Sequence, residues 1–242
     1  MVADNGVVIS FVVPAHNEER LLGRTLTAIH EAARTLPHSC EIIVVNDAST
    51  DGTAAIARAH GTRVIEVDVR QIAKVRNAGA REAQGDILIF VDADTVVSNA
   101  VVRASLNALR CGAVGGGATI EFDGAVPWWS SVLLHVVRGT MRAARLIPGC
   151  YVFCSRTAFE AAGGFDEGLY AAEEISFSRA LGRKGTVVTL RETVITSGRK
   201  MRTHSAWDLV RLTAAAARRG TGVVRSREQL SLWYGERRNE QG

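Results

Sequence analysis

The sequence has no stretch of roughly 18 uninterrupted apolar residues, the length a helix needs to cross a bilayer. The nearest candidate, residues 126–147, is broken by His135, Arg138, Arg142 and Arg145. The N-terminal residues lack a cationic head, and the apolar run over residues 7–13 ends at Pro14. That run reads as a strand rather than a secretory signal. The four cysteines, Cys40, Cys111, Cys150 and Cys154, form no C-x-x-C pair and no metal-ligand spacing. The expectation is buried thiols in a cytoplasmic protein, without a disulfide framework or zinc site. No G-x-G-x-x-G follows a strand, Gly115, Gly116 and Gly117 lack its spacing, and no G-x-x-x-x-G-K-[ST] occurs. A dinucleotide-binding fold and a P-loop are therefore disfavoured. A large charge excess is missing too. Lys and Arg number 29 against 25 Asp and Glu, net +4, too little to argue for nucleic acid as a partner.

What is present fits a globular protein. The chain has 242 residues, 47% hydrophobic and 22% charged, enough for one α/β domain with a real core. Its charge is uneven. Residues 199–242 hold ten Lys and Arg and four acids, net +6, so residues 1–198 sum to −2. The pattern divides into a slightly acidic body over residues 1–198 and a basic tail over 199–242.

The apolar, β-branched run over residues 6–13 predicts a strand covered on both faces, and 41–45 a second buried strand; residues 63–67 and 87–91 predict a third and a fourth. Between and after them, helical spacing predicts helices over residues 18–36, 53–60 and 72–83, and one opening at Ser98 as N-cap. Four alternations in about a hundred residues argue for a doubly wound, mostly parallel central sheet with helices on both faces. Beyond Cys111 the rhythm changes. Strands are expected over 112–122, 149–154 and 186–190, and helices over 127–147, 157–162 and 173–181. A helix over 207–219 is expected in the tail.

In open α/β sheets, ligands bind beyond the carboxyl ends of the strands. The first strand runs into Pro14-Ala15-His16-Asn17-Glu18, the second into Asn46-Asp47-Ala48-Ser49-Thr50-Asp51-Gly52, the fourth into Asp92-Ala93-Asp94-Thr95. A single such loop is commonly no more than a cap or turn. Three at one sheet edge fit chance capping poorly. Asp92 and Asp94, two apart on extended backbone, would point the same way. Paired anions need a cation between them or a shared proton. Hard oxygen ligands suit Mg²⁺ or Mn²⁺ completed by phosphate and water.

These stretches resemble the family 2 glycosyltransferases, which have the GT-A fold. The matching segments are VVPAHNEE (12–19), IIVVNDASTDGT (42–53), RNAGAREAQGDILIFVDADT (76–95) and GGFDEGLYAAEEISFSRALGRKG (163–185), in that order. The resemblance implies a donor-binding half over residues 1–111 and an acceptor-binding half over 112–198. It implies that Pro14, Ala15, His16 and Glu18 line the base and ribose of a nucleoside-diphosphate sugar. Asp47 would hydrogen-bond the base and Arg76 would lie along the nucleotide. Asp92 and Ala93 would approach the ribose, and Asp94, with Asp92, would hold the metal on the diphosphate. In the family an E-D pair on the helix after G-G-F-D-E supplies the general base; here the pair is Glu173-Glu174, which puts Glu174 in that role. Where the family has a first Asp, this chain has Asn46.

The implied reaction is metal-dependent, inverting transfer of a sugar from a nucleotide-sugar donor, UDP-linked or GDP-linked, to an acceptor hydroxyl. The acceptor would be a carbohydrate, a lipid-linked molecule or a small molecule. His204 is a candidate further metal ligand by analogy with GT-A enzymes that use a C-terminal histidine, against a plain surface histidine. Arg199 and Lys200 are candidate diphosphate contacts or a solvated face. Trp128, Trp129 and Tyr151 lie where the family shapes its acceptor pocket, or in the core. Two other readings stand beside this one. A nucleotidyltransferase shares the sheet and carboxylates but uses a Gly-rich basic loop after the first strand, where this chain has PAHNEE. A catalytically inactive nucleotide-binding relative is opposed by the intact Asp47, Asp92, Asp94 and Glu174. The tail's Arg211, Arg218, Arg219, Arg225 and Arg227 beside Trp207, Leu209, Val210 and Leu212 suggest a basic amphipathic segment. It would either rest on the inner membrane face or pack on the domain.

Overall fold

The computed structural model describes residues 6–124, 139 and 146–199. The order is β1 (Val8–Ala15), α1 (Leu22–Arg34), β2 (Ser39–Asp47), α2 (Thr53–Ala59), β3 (Arg63–Val67), α3 (Ile72–Glu82), β4 (Ile87–Val91), β5 (Thr95–Val96), α4 (Asn99–Arg110) and β6 (Ala113–Phe122). After the undescribed stretch come β7 (Tyr151–Ser155), α5 (Arg156–Ala162), α6 (Glu173–Gly182) and β8 (Thr186–Thr196).

The described strands form one sheet in the order β3-β2-β1-β4-β7-β6-β8-β5. β3, β2, β1 and β4 are all parallel, as the strand-helix alternation predicts. The sheet then becomes mixed. β7 runs antiparallel to both β4 and β6, and β8 is parallel to β6 but antiparallel to β5. The fold is a mixed α/β sheet with helices, and the parallel order holds in its first half.

Alternation along the strands divides the core into two layers. Ile9, Phe11, Val13, Ile89 and Val91 face a layer with Leu22, Leu26 and Ile29 of α1 and Val101 and Val102 of α4. Val12, Leu88 and Phe90 face the other, with Ala73 and Val75 of α3, Phe165, and Phe177 and Leu181 of α6. That is why β4 is apolar at every position and β1 at all but Ser10, whose hydroxyl donates to Glu41 Oε1 at 2.6 Å. Gly79 of α3 lies so close to the sheet that a Cβ there would overlap Val12 and Val45.

Several boundaries move for local reasons. Ser98 caps α4 through Val101 N at 3.3 Å, as expected. Residues 18–21 form a turn ahead of α1, with Leu22 N bonded to Glu18 O at 2.9 Å. β8 runs on to Thr196 because its second half pairs with Thr119–Phe122 of β6 beyond a register shift. β5, two residues long, forms only against that extension. Cys150 and Cys154 are buried, but Cys111 is exposed, because it lies at the C-cap of α4 rather than within an element. Among the described residues no helix is long and apolar enough to cross a membrane. Most of the expected helix over 127–147 and the tail beyond Arg199, including Trp128, Trp129, Lys200 and His204, lie outside the described residues; residues 146 and 147, at its expected end, are not helical.

Candidate functional site

The carboxyl ends of β1, β2 and β4 deliver the predicted polar residues to one edge. Pro14 and Ala15 are buried in the last turn of pairing between β1 and β2. His16 is the first partly exposed side chain beyond them. Its Nδ1 lies 2.7 Å from the carbonyl oxygen of Asp47. A carbonyl only accepts, so Nδ1 carries the proton and Nε2 accepts from Arg70 Nη1 at 3.1 Å. Asp47 is buried, and its Oδ1 accepts the backbone amides of Val69 at 2.8 Å and Arg70 at 3.1 Å. That carboxylate therefore shapes the loop between β3 and α3. Glu18 is buried as well. Its amide donates to Thr53 Oγ1 at 2.7 Å, and its carboxylate pairs with Arg199 at 3.2 Å.

The two loops are tied together along their length. Asn17 N donates to Ser49 Oγ, Thr50 N to Asn17 Oδ1, and Gly52 N to Glu19 Oε2. Asn17, Ala48, Arg70 and Ala172 all have positive φ, between 47° and 60°. Left-handed backbone outside glycine is costly and clusters at functional sites. Here all four positions lie in the loops that border this edge.

Asp92 and Asp94 do not sit on extended backbone as expected. Thr95 N bonds back to Asp92 O at 3.0 Å, closing a tight turn before β5. Ala93 and Thr95 are nevertheless buried while Asp92 and Asp94 are partly exposed. Ala93 is locked by its carbonyl, which accepts from Thr25 Oγ1 at 2.9 Å. Asp94 Oδ1 accepts from Thr196 Oγ1 at 3.3 Å, so the extension of β8 positions it. Both carboxylates act on the buried Cys150 thiol. Burial, then Asp92 and Asp94, push that thiol's pKa well up, so Cys150 stays protonated and is no nucleophile.

Arg76, expected along the nucleotide, is 2% exposed and lies beneath this edge. Nη1 donates to Glu173 Oε1 at 2.7 Å; Nη2 donates to Asp92 Oδ1 and to Gly149 O, each at 2.8 Å. The guanidinium also sits over the Phe165 ring, 5.2 Å from its centroid. Burial is the largest influence on Arg76 and opposes its charge. Asp92 and Glu173 outweigh it and hold the pKa above its ordinary value.

Glu173 and Glu174 open α6. Acids suit a helix N-terminus, but these two do more than cap. Glu173 is buried on Arg76. Glu174 lies against Gly149, where a Cβ would come within 3.3 Å of its Cδ; a side chain at 149 would crowd the carboxyl. Burial, then the Glu173 carboxylate, push the Glu174 pKa up to about 8, against smaller opposing pulls from a backbone hydrogen bond and then from Arg76. Two carboxylates, Asp92 and Glu173, bond the one guanidinium, and Glu174 lies beside them in surroundings that favour its protonated form.

Helix α3 organises the rest. Gln71 Nε2 donates to the carbonyls of Glu167 and Leu169, at 2.7 and 2.9 Å. Asn77 donates to Phe165 O and accepts from Phe165 N, each at 2.9 Å, and also reaches Glu167 Oε1. Gln71, Asn77, Arg70, Gly149 and Glu173 had no assigned role in the sequence. The R-N-A-G run of α3 was visible, but which loop its side chains reach was not. Arg70 was hidden because arginine does not announce a left-handed turn. Tyr151 is fully buried, with its hydroxyl 2.9 Å from Ser105 Oγ, which makes it a core residue.

Two carboxylates at one turn are a sound start for a hard divalent cation, which ordinarily takes one or two protein carboxylates and fills its shell with phosphate oxygens and water. Asp92 fits that need: one oxygen is on Arg76 and its side chain is 33% exposed. Among the described residues there is no cluster of three or more His, Cys, Asp or Glu that would hold a metal unaided.

Residues 10–160 match the glycosyl transferase family 2. Among curated proteins, the chain is 33% identical over 107 residues to validoxylamine A glucosyltransferase of Streptomyces hygroscopicus subsp. limoneus. The match covers 42% of this chain and 23% of that protein, so the chain spans about a quarter of its length. Among solved structures, the mannosyltransferase PcManGT of Pyrobaculum calidifontis, in complex with GDP-Man and Mn²⁺, superposes with a TM-score of 0.65 at 20% identity. That match covers 89% of this chain and 65% of that one. Staphylococcus aureus TarS 1-349 in complex with UDP-GlcNAc gives 0.63 at 18% identity, covering 78% and 58%. Both likenesses are of fold.

Proposed function

The chain belongs to glycosyl transferase family 2, and from that premise we propose that it transfers a sugar from a nucleoside-diphosphate sugar to an acceptor hydroxyl, with inversion and with Glu174 as general base. The observation that carries this is the joining of the end of β4 to the start of α6 through one buried guanidinium. Arg76 bonds Asp92 on one side and Glu173 on the other, and Glu174 follows on the same helix. In this reading the donor-side carboxylate and the base are linked through Arg76 and Glu173.

Each residue has a definite task in this reading. Asp47 spends Oδ1 on the amides of Val69 and Arg70, and its second oxygen accepts from the base. His16, fixed in one tautomer by Asp47 O and Arg70, borders the base beside Pro14 and Ala15. Glu18 faces the ribose side and is held by Thr53 and Arg199. Asp92 and Asp94 hold Mg²⁺ or Mn²⁺ together with the diphosphate. When bound, that cation neutralises charge on the departing nucleoside diphosphate. Glu174 takes the acceptor's proton as its oxygen attacks the anomeric carbon from the opposite face. The UDP-GlcNAc and GDP-Man with Mn²⁺ in the two neighbours support a nucleotide-sugar donor and a divalent cation of this kind. The acceptor is a carbohydrate, lipid-linked or small-molecule hydroxyl.

Isothermal titration with UDP and GDP, with and without Mn²⁺, tests the reading. Binding of one nucleotide that requires Mn²⁺ and is lost in Asp94→Asn is expected. Metal-independent binding, or none, overturns the metal assignment or the donor assignment respectively.

A further inference from the structure

Arg76 is the largest fully buried side chain among the described residues, and nothing about sugar transfer by itself requires a buried arginine. Its cost is visible: Nε is buried with no hydrogen-bond partner among the described residues. Its other nitrogens touch three separate segments, the turn at Asp92, the backbone at Gly149 and the first residue of α6. Those segments are bound to each other as well, since Asp92 N donates to Cys150 O at 3.1 Å. The Gly149-Cys150 backbone is thus held from below by Arg76 and from the side by Asp92. The Glu174 carboxyl lies against the open face of Gly149.

We propose that Arg76 and Glu173 form a positioning pair for Glu174: they hold its carboxyl against Gly149 and tie it to the donor-side turn through Asp92. The proposal rests on the reading of Glu174 as the base. Neither residue touches substrate in it; both act through Glu174. Glu173 neighbours Glu174 on the same helix and is fixed there by Nη1 of Arg76. Arg76 reaches in from α3. Asp92 acts from the turn after β4, through Arg76. The segment before β7 contributes the Gly149 backbone and the Cys150 thiol, which stays protonated. Of these, Glu173 and Arg76 act on the Glu174 carboxyl directly.

The pair has a signature that a plain structural role lacks. Its two members carry opposite charges, so removing each one moves the proton affinity of Glu174 in opposite directions. Glu173→Gln keeps the shape and an acceptor for Arg76 but removes an anion, so Glu174 ionises more readily. Arg76→Gln removes the cation, so Glu174 holds its proton harder. Arg76→Lys keeps the charge but not the fork that meets three partners, and falls nearer the wild type than Arg76→Gln.

The experiment is a carboxyl titration of Glu174 by NMR on ¹³C-glutamate-labelled protein without substrate, with Glu174→Gln assigning the resonance. The expected result is a downward displacement of roughly one unit or more in Glu173→Gln and an upward one in Arg76→Gln. Displacement of both variants in one direction, or of neither, overturns the proposal. Should Arg76→Gln not fold, Glu173→Gln decides alone: a lower midpoint supports the pair, and an unchanged or higher one rejects it. A transfer assay is read separately. Near-wild-type turnover by Glu174→Gln would remove the base assignment whatever the titrations show, whereas an inactive Glu174→Gln with no displacements rejects the pair alone.

Discussion

In the proposed reaction Glu174 must shed a proton before it can act as base. The carboxyl is pushed up to about 8 by burial and by Glu173, whereas a base must be ionised to act. Activity is therefore expected to rise with pH and level off above about 8, and a pH-rate profile for transfer checks it. A flat profile from pH 6 to 9 would contradict the assignment. The stability sign is opposite. The folded pKa exceeds the ordinary 4.5, so the folded state binds the extra proton, and this group's contribution is complete below 4.5 and is lost as pH rises through about 8. In Glu174→Gln, transfer is expected to vanish while UDP binding survives, and its melting temperature should gain on the wild type as pH rises from 5 to 9. In the proposed reaction Glu174 stands where the family has Asp, and its carboxyl lies against Gly149.

At the scale of elements, α3 is the organising piece. One face packs on β1 and β2 so closely that Gly79 has no room for a side chain. From it, Gln71, Arg76 and Asn77 reach the 163–173 segment. Asn77 satisfies both the amide and the carbonyl of Phe165, which seats that ring beneath Arg76 and against Phe177, 4.4 Å between centroids. Replacing Asn77 with Ala leaves buried backbone groups without partners. The expected loss is ~1–3 kcal/mol, measured by urea unfolding, together with weakened transfer because α6 loses its lead-in. A cost below about 0.5 kcal/mol would mean the loop is held by other contacts.

For the whole molecule, the uneven charge sets the open question of the +6 tail over residues 199–242. Its first residue, Arg199, turns back onto Glu18 at the donor edge, so the tail begins beside the site. If the rest meets anionic lipid, the intact chain should float with anionic liposomes, and removal of residues 203–242 should abolish flotation; rising salt should weaken it. Equal recovery of the two forms rejects the lipid contact. The sequence by itself determined the parallel half of the sheet, because short strand-like runs alternate there with segments of helical spacing, and parallel strands need such crossovers. It also determined the strand ends that carry Asp47, Asp92 and Asp94, since polar residues abruptly follow each apolar run. Only the tertiary structure decided the switch to a mixed sheet at β7, the existence of β5, and the partners of Arg76. A two-residue strand has no period to read, strand direction depends on what lies alongside, and a buried ion pair joins residues 97 apart, a closeness that local pattern does not encode.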